Sequence, residues 1–329
     1  MKYAILSDIH SNSVSLQQVI MDAHNKEVDG FIFLGDFIGY FGSPIEVLEM
    51  VKTVFEEYPD SYWVLGNHEQ LLQVALDTKK DWDVDFPNME NQEFAQIGKL
   101  KELIDDQQPG SASREAVDSL YRNIKDLEDT DIFEWFLKTI ITKTPKYDQI
   151  IRIEDKKDFQ IQLVHASYHG FSYIWPWDPF LVRESLIRPY LDNGYKKKDC
   201  NLILYGHTHL PAFYQQDLKK KDSPEQKRNI KYGEFYPLDN FLSVINPGSV
   251  GLPRDADNRA SYVILDTEEK SVVFSRLKYD LDSIADELLE KKYCNEMEVR
   301  LYEAPLPKPS DNPPPLEYAE ELRIRSELK

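Results

Sequence analysis

Lys2-Tyr3-Ala4-Ile5-Leu6-Ser7-Asp8-Ile9-His10 opens the chain with four consecutive apolar residues and then, after one serine, an Asp-x-His. A continuous apolar run of this length predicts a strand buried on both faces, as in parallel sheets. The same grammar recurs: residues 30–35 precede Asp36, 61–66 precede Asn67-His68-Glu69, 160–164 precede His165, and 201–206 precede His207-Thr208-His209. Helical spacing follows the first three runs. Val14, Leu16, Val19, Ile20 and Ala23 share one face, with Ser13 offering a cap oxygen, while Ile45, Leu48 and Val51 follow Ser43-Pro44, where proline suits a first turn. Alternation of this kind predicts βαβ units, and open α/β sheets collect their sites at strand carboxyl ends.

Those ends carry five of the seven histidines, His10, His68, His165, His207 and His209, together with Asp8, Asp36 and Asn67. Imidazole, carboxylate and amide oxygen without thiolate suit borderline or hard divalent ions and disfavour Cu(I) and iron–sulfur clusters. Two such ions about 3.5–4 Å apart can share a carboxylate, acidify a bound water and clamp the oxygens of an in-line displacement at phosphorus. Any one of the motifs recurs by chance in soluble proteins; all five in this order predict a metal centre.

In this order the motifs resemble those of the calcineurin-like metallophosphoesterase family: Asp-x-His, Gly-Asp, Gly-Asn-His-Asp/Glu, His and Gly-His-x-His. The chain looks most similar to the compact bacterial and archaeal phosphodiesterase-type members. These also carry an Asn-Pro-Gly-Ser turn, here Asn246-Pro247-Gly248-Ser249, followed by Pro253-Arg254-Asp255. The resemblance spans residues 1–76 and 145–290. It implies a two-sheet α/β/β/α sandwich whose Asp8, His10 and His209 hold one metal ion and whose Asn67, His165 and His207 hold the other, with Asp36 bridging. It further implies attack by a metal-bridging hydroxide, with His68 contacting the phosphoryl oxygen and protonating the leaving group, since an imidazole titrates in the useful range. The expected activity is hydrolysis of a small phosphodiester or nucleotide-like phosphate ester. Phosphomonoesterase, dinucleoside polyphosphatase, phosphoprotein phosphatase and nuclease chemistry by the same mechanism stay open. So does a non-catalytic scaffold on the same fold, although scaffolds usually lose ligands and all seven are present here. Manganese is the first expectation; iron, zinc, nickel and magnesium suit the same ligands.

The balance of 58 acidic against 39 basic residues, net −19, opposes binding of long nucleic acid, which normally meets a basic face. A small phosphate ester is the expected partner. No Gly-x-x-x-x-Gly-Lys-Ser/Thr loop supports an ATP-driven enzyme. The two cysteines, Cys200 and Cys294, lack metal or redox spacing, no apolar run approaches the ~20 residues of a membrane span, and the first strand leaves no room for a signal peptide. A cytoplasmic location is expected, with no membrane partner.

At 329 residues one catalytic domain, 1–300, with a helical cap insertion at about 77–140 and a Pro-rich tail, 301–329, accounts for the length. In the insertion, Phe94, Ile97, Leu100, Leu103, Ile104 and then Val117, Leu120, Ile124 and Leu127 recur at helical intervals. It carries 16 acidic and 7 basic residues between Asp77 and Glu134, the pattern of a solvated face. After His209 the stretches 212–218, 229–235, 241–246, 261–266 and 271–277 predict strands of a second sheet, interrupted by a charged loop at 219–228. The six prolines from Pro305 to Pro315 predict an extended strap, and 316–328 a terminal helix suited to packing on the chain or on a protein partner. Candidate substrate-binding groups are Arg254, which offers a guanidinium fork, and His169 and Tyr173, in a loop with five aromatics among residues 168–177 that could stack a base or staple the loop.

Overall fold

The structure, a computed structural model, describes residues 1–78, 114–142, 148–152, 160–166, 202–220, 226–291, 293 and 295–304. Its strands form two sheets of six. The first contains β1 (Lys2–Leu6), β2 (Gly30–Phe33), β3 (Tyr62–Trp63), β9 (Phe235–Pro237), β11 (Ala260–Asp266) and β12 (Ser271–Leu277), in the order β3-β2-β1-β11-β12-β9. The second contains β4 (Asp148–Arg152), β5 (Gln160–Val164), β6 (Leu202–Leu204), β7 (Ala212–Asp217), β8 (Gln226–Lys227) and β10 (Phe241–Asn246), in the order β4-β5-β6-β10-β7-β8.

Period-2 alternation explains the layers. Along β1, Tyr3 and Ile5 enter a core shared by both sheets, with Ile32, Ile161, Leu163, Leu204, Phe213, Val263 and Phe274. Ala4 and Leu6 face the other way, into a second core roofed by helices. These are α1 (Ser13–Asn25), α2 (Pro44–Glu57), α3 (Asn67–Thr78), α4 (Arg114–Leu127) and α5 (Asp131–Phe136), the last running into a π-helical turn, Leu137–Ile141. The outer face of the second sheet buries Val164, Ile203, Tyr205, Tyr214 and Val244. The fold is the expected two-sheet α/β type; a fourth, helical layer is not among the described residues. Near the C-terminus α6 (Leu281–Glu290) and α7 (Asn295–Glu303) pack on Tyr40, Phe41 and Leu252.

Several local expectations change. The strands after His209 do not make a sheet of their own: β9, β11 and β12 join the first sheet, where β11 pairs antiparallel with β1, and β7, β8 and β10 join the second. Periodicity reports which faces are buried and not which neighbour buries them. The run 229–235 is largely irregular, with a turn at Tyr232-Gly233 where Gly233 has φ +83°, and its strand starts only at Phe235. The strand predicted at 61–66 shrinks to Tyr62–Trp63. Asn12, not Ser13, caps α1, its side chain accepting from Ser15 N at 3.1 Å. The edge strand β4 was not anticipated.

The described half of the 77–140 insertion is part of the main core: Val117, Leu120, Ile124 and Leu127 of α4 pack with Leu48, Val51 and Leu72. Residues 79–113, where the first helical run of the insertion was expected, lie outside the described residues, as do Cys200, Cys294 and residues 305–329 with the prolines and the terminal helix, whereas the first residues assigned to the tail, 301–303, finish α7.

Candidate metal centre

Parallel pairing sets the ligand loops side by side. With Leu6 opposite Phe33, the backbone N–H groups of Ile9 and His10 both donate to Asp36 O, at 2.9 and 3.0 Å. In the other sheet Leu163 and Ile245 both lie opposite Leu204, and Gly206 N donates to His165 O at 2.8 Å. The carboxyl ends of the parallel strands from both sheets thereby meet.

Asp8, His10, Asp36, His68, His165 and His209 are buried, and Asn67 and His207 are partly exposed. Ligand atoms converge in three overlapping groups, Asp8/His10/His209, His10/Asp36/His68 and Asp36/His165/His207, each within 4.8 Å. Asn67 Oδ1 lies 2.9 Å from His165 Nε2 and 2.8 Å from His207 Nδ1, which adds it to the third group. Asp36 stands between the groups, its Oδ2 3.7 Å from His10 Nε2 and 3.3 Å from His165 Nε2.

The tautomers show what these atoms are for. His10 Nδ1 faces Ile38 O at 3.3 Å, and His209 Nδ1 faces Leu252 O, so each ring places its proton on Nδ1. Their Nε2 lone pairs then face each other at 3.1 Å, with Asp8 Oδ1 3.5 Å from His209 Nε2. Burial holds both imidazoles well below their usual pKa, so no proton relieves this contact. A cation does, and a carbonyl on the far nitrogen is the usual way such a ligand is oriented. At the second group burial opposes protonation of His165, yet Asp36 outweighs it and raises the imidazole to about 9. That proton occupies the position a metal would take. Burial pushes Asp8 up to about 7, whereas for Asp36 the facing histidines overcome burial and hold the carboxyl well below its usual range. The donor set fits divalent cations.

Backbone strain marks the same loops. Asp8, His10, Asp36, Tyr40, His207 and His209 all have φ between 51° and 65°. Left-handed non-glycine residues cost about 1–3 kcal/mol each and persist where surrounding structure fixes them. Here Ser249 Oγ donates to Asp8 O at 2.7 Å, and Asn246 Nδ2 donates to Gly206 O at 2.8 Å and Thr208 Oγ1 at 3.0 Å. The Asn-Pro-Gly-Ser turn thus clamps the first and last ligand loops. Gly66 is required by close approach, since a Cβ there would overlap the Asp36 carboxylate.

Three positions escaped the sequence reading. Glu69 accepts from Asp36 N, Phe37 N and Gly66 N at 2.9, 2.9 and 2.8 Å, tying two ligand loops to the start of α3. Its signal was present: a glutamate three residues into a helix reaching back to the preceding N–H is capping-box spacing. On α4, Ser119 Oγ accepts from Tyr40 N at 2.8 Å. Asn123, also on α4, accepts from Ser11 Oγ at 2.6 Å and Gly39 N at 2.7 Å, and donates to Phe41 O at 2.8 Å. Nothing local reveals that role. Asn123→Ala should lower stability by about 2–3 kcal/mol, because it orphans buried groups, and should reduce metal content under limiting metal; an unchanged urea midpoint would contradict this.

Of the substrate-binding candidates, Arg254 lies beside the cluster, its Nη2 3.4 Å from Tyr40 Oη. His169 and Tyr173 lie outside the described residues. His68 is tilted against His10 and Tyr40, ring centres 4.6 and 4.9 Å away, and its buried Nδ1 has no hydrogen-bond partner among the described residues.

A two-sheet α/β fold with a buried His/Asp/Asn cluster at its strand ends is the architecture of metal-dependent phosphoesterases. A model of the calcineurin-like phosphoesterases matches residues 1–211, and the chain belongs to that family. It is 26% identical over 305 residues to an uncharacterized protein of Methanocaldococcus jannaschii, covering 91% of this chain and 96% of that one. Its fold is similar to that of a metallophosphoesterase from Sphaerobacter thermophilus (TM-score 0.62, 23% identity, 92% of this chain and 99% of that one). It is also similar to a hypothetical protein from Pyrococcus horikoshii OT3 (TM-score 0.61, 18% identity, 93% and 99%). No helix among the described residues is long and apolar enough to cross a membrane.

Proposed function

We propose that the chain is a dinuclear metal-dependent hydrolase of a small phosphodiester or nucleotide-like phosphate ester. The observation that carries this is the convergence of imidazole and carboxylate ligand atoms, above all the facing Nε2 atoms of His10 and His209 at 3.1 Å. Asp8, His10 and His209 would hold one ion and Asn67, His165 and His207 the other, with Asp36 shared; manganese is the first choice, with iron, zinc, nickel or magnesium accommodated. When bound, the ions would supply Lewis acidity toward the phosphoryl oxygens and a water acidic enough to attack phosphorus.

The protein does the rest. The backbone clamps hold the candidate ligand loops before substrate arrives. His68 would hand a proton to the departing oxygen. Burial lowers its pKa, which makes the protonated ring a readier donor, while an anionic ester beside it restores the proton. The net charge of −19 favours one small anion at the centre over a long polyanion.

The test is initial rates on an aryl phosphodiester and an aryl phosphomonoester after stripping metal and restoring each ion in turn. Metal-dependent turnover supports the hydrolase, the diester-to-monoester ratio names the ester class, and two bound metals without turnover would favour a scaffold. His68→Gln should retain both metals and lose about 10²–10⁴ in kcat on an alkyl ester, the range for a positioned acid, but much less on an aryl ester whose leaving group needs no proton. Equal losses on both esters would remove His68 from that role.

A further inference from the structure

We propose that Arg254 and Arg300 form an anion clamp beside the metal-ligand cluster, which selects phosphoesters carrying a second anionic group. The substrate class rests on the phosphoesterase function proposed above; the clamp itself rests on geometry. Its hub is Tyr40, almost fully buried, whose ring centre lies 4.7 Å from that of His10 and 4.9 Å from that of His68. The guanidinium carbons of Arg254 and Arg300 each lie 5.8 Å from the centre of this same ring. Arg254 thus reaches Tyr40 from the loop after β10, and Arg300 reaches the same ring from α7.

Neither arginine has an ion-pair partner among the described residues. Three other arginines of this acidic chain pair with carboxylates, Arg122 with Asp118, Arg259 with Asp257 and Arg276 with Asp255. An anion that meets both forks is attracted from two sides. The planar fork of each suits phosphate or carboxylate oxygens. Met297 and Leu301 of α7 are buried in one cluster with Tyr40 and Leu252. Ala256 N donates to Ala304 O at 2.8 Å, and Asn258 Nδ2 donates to Tyr302 O at 3.1 Å. These contacts fix α7 on the loop that carries Arg254, so the two arginines are presented together. A monoanionic ester seated on the metals would leave the pair unused; an ester with an added phosphate or carboxylate would occupy it.

The experiment is calorimetric titration of the full, metal-loaded chain with thymidine 3′,5′-bisphosphate and with thymidine 5′-monophosphate, in wild type, Arg300→Gln and Arg300→Lys. The wild type should bind the bisphosphate about tenfold more tightly, as charge-assisted contacts to one extra phosphate allow. Arg300→Gln should erase that preference, and Arg300→Lys should restore part of it. Thermal unfolding at the wild-type midpoint in both variants separates binding from packing. Equal wild-type affinities for the two nucleotides, or an equal loss for both in Arg300→Gln, would overturn the clamp. Because binding is read without turnover, a chain that hydrolyses no ester would refute the proposed function and leave the clamp to be decided by the affinities.

Discussion

Asp36→Asn should abolish metal-dependent turnover and cut metal content to one ion or fewer per chain. Asn keeps the size of the side chain and an oxygen to accept from His68 N, now at 2.9 Å from Asp36 Oδ1, so the fold should survive. What it removes is the single negative charge between His10 and His165. That charge holds the cluster together electrostatically: it raises His165 to about 9 against the effect of burial, and it lies between the two sets of ligand atoms. Losing several kcal/mol of charge stabilisation at tenfold per 1.36 kcal/mol lowers kcat by about 10³-fold or more. Metal analysis after gel filtration, with initial rates at saturating metal, checks both halves. A variant that keeps two ions and a tenth of wild-type activity would show that Asp36 is not shared between them.

The second large effect is on stability. Glu69→Ala leaves the N–H groups of Asp36, Phe37 and Gly66 buried without their acceptor. At about 1–3 kcal/mol for each orphaned buried group, partly relieved by water entering the space, the loss should be roughly 3–5 kcal/mol. Glu69→Gln keeps one oxygen but turns an NH₂ toward at least one of those donors, and should cost about half as much. Burial, with the Asp36 carboxylate, pushes the Glu69 carboxyl up to about 7, and the N–H groups of Gly66 and Asp36 oppose that rise. Urea unfolding of the metal-stripped proteins isolates the effect from ligand loss. A midpoint for Glu69→Ala equal to wild type at unchanged slope would mean that the carboxylate does not hold the loops.

Asp36 was legible in the sequence and Glu69 was only half legible, and the difference is physical. A candidate metal ligand announces itself by residue type, by glycine beside it and by its place at the end of an apolar run. Glu69 stood in the same motif, but its work is done on backbone groups of residues 36 and 37, which sequence cannot place next to it. Asn123 is further out of reach: as one polar residue on an amphipathic helix of the insertion it reads as solvated, yet it is fully buried and joins the loop at Ser11 to the loop at Gly39 and Phe41. The expected cap function of that insertion gains no support from α4, which packs into the core.

Sequence by itself determined the strand-then-ligand grammar, the metal-competent residue set, the βαβ start and the family resemblance, because each depends on local residue type and spacing. Tertiary structure alone decided that β11 returns to pair with β1, that the late strands divide between two sheets, and that the Nε2 atoms of His10 and His209, 199 positions apart, face each other. It alone set Arg254 and Arg300 against one tyrosine. Periodicity encodes how much of a segment is buried; the partner that buries it is chosen by pairing across long stretches of chain, where the energies of many weak contacts are summed.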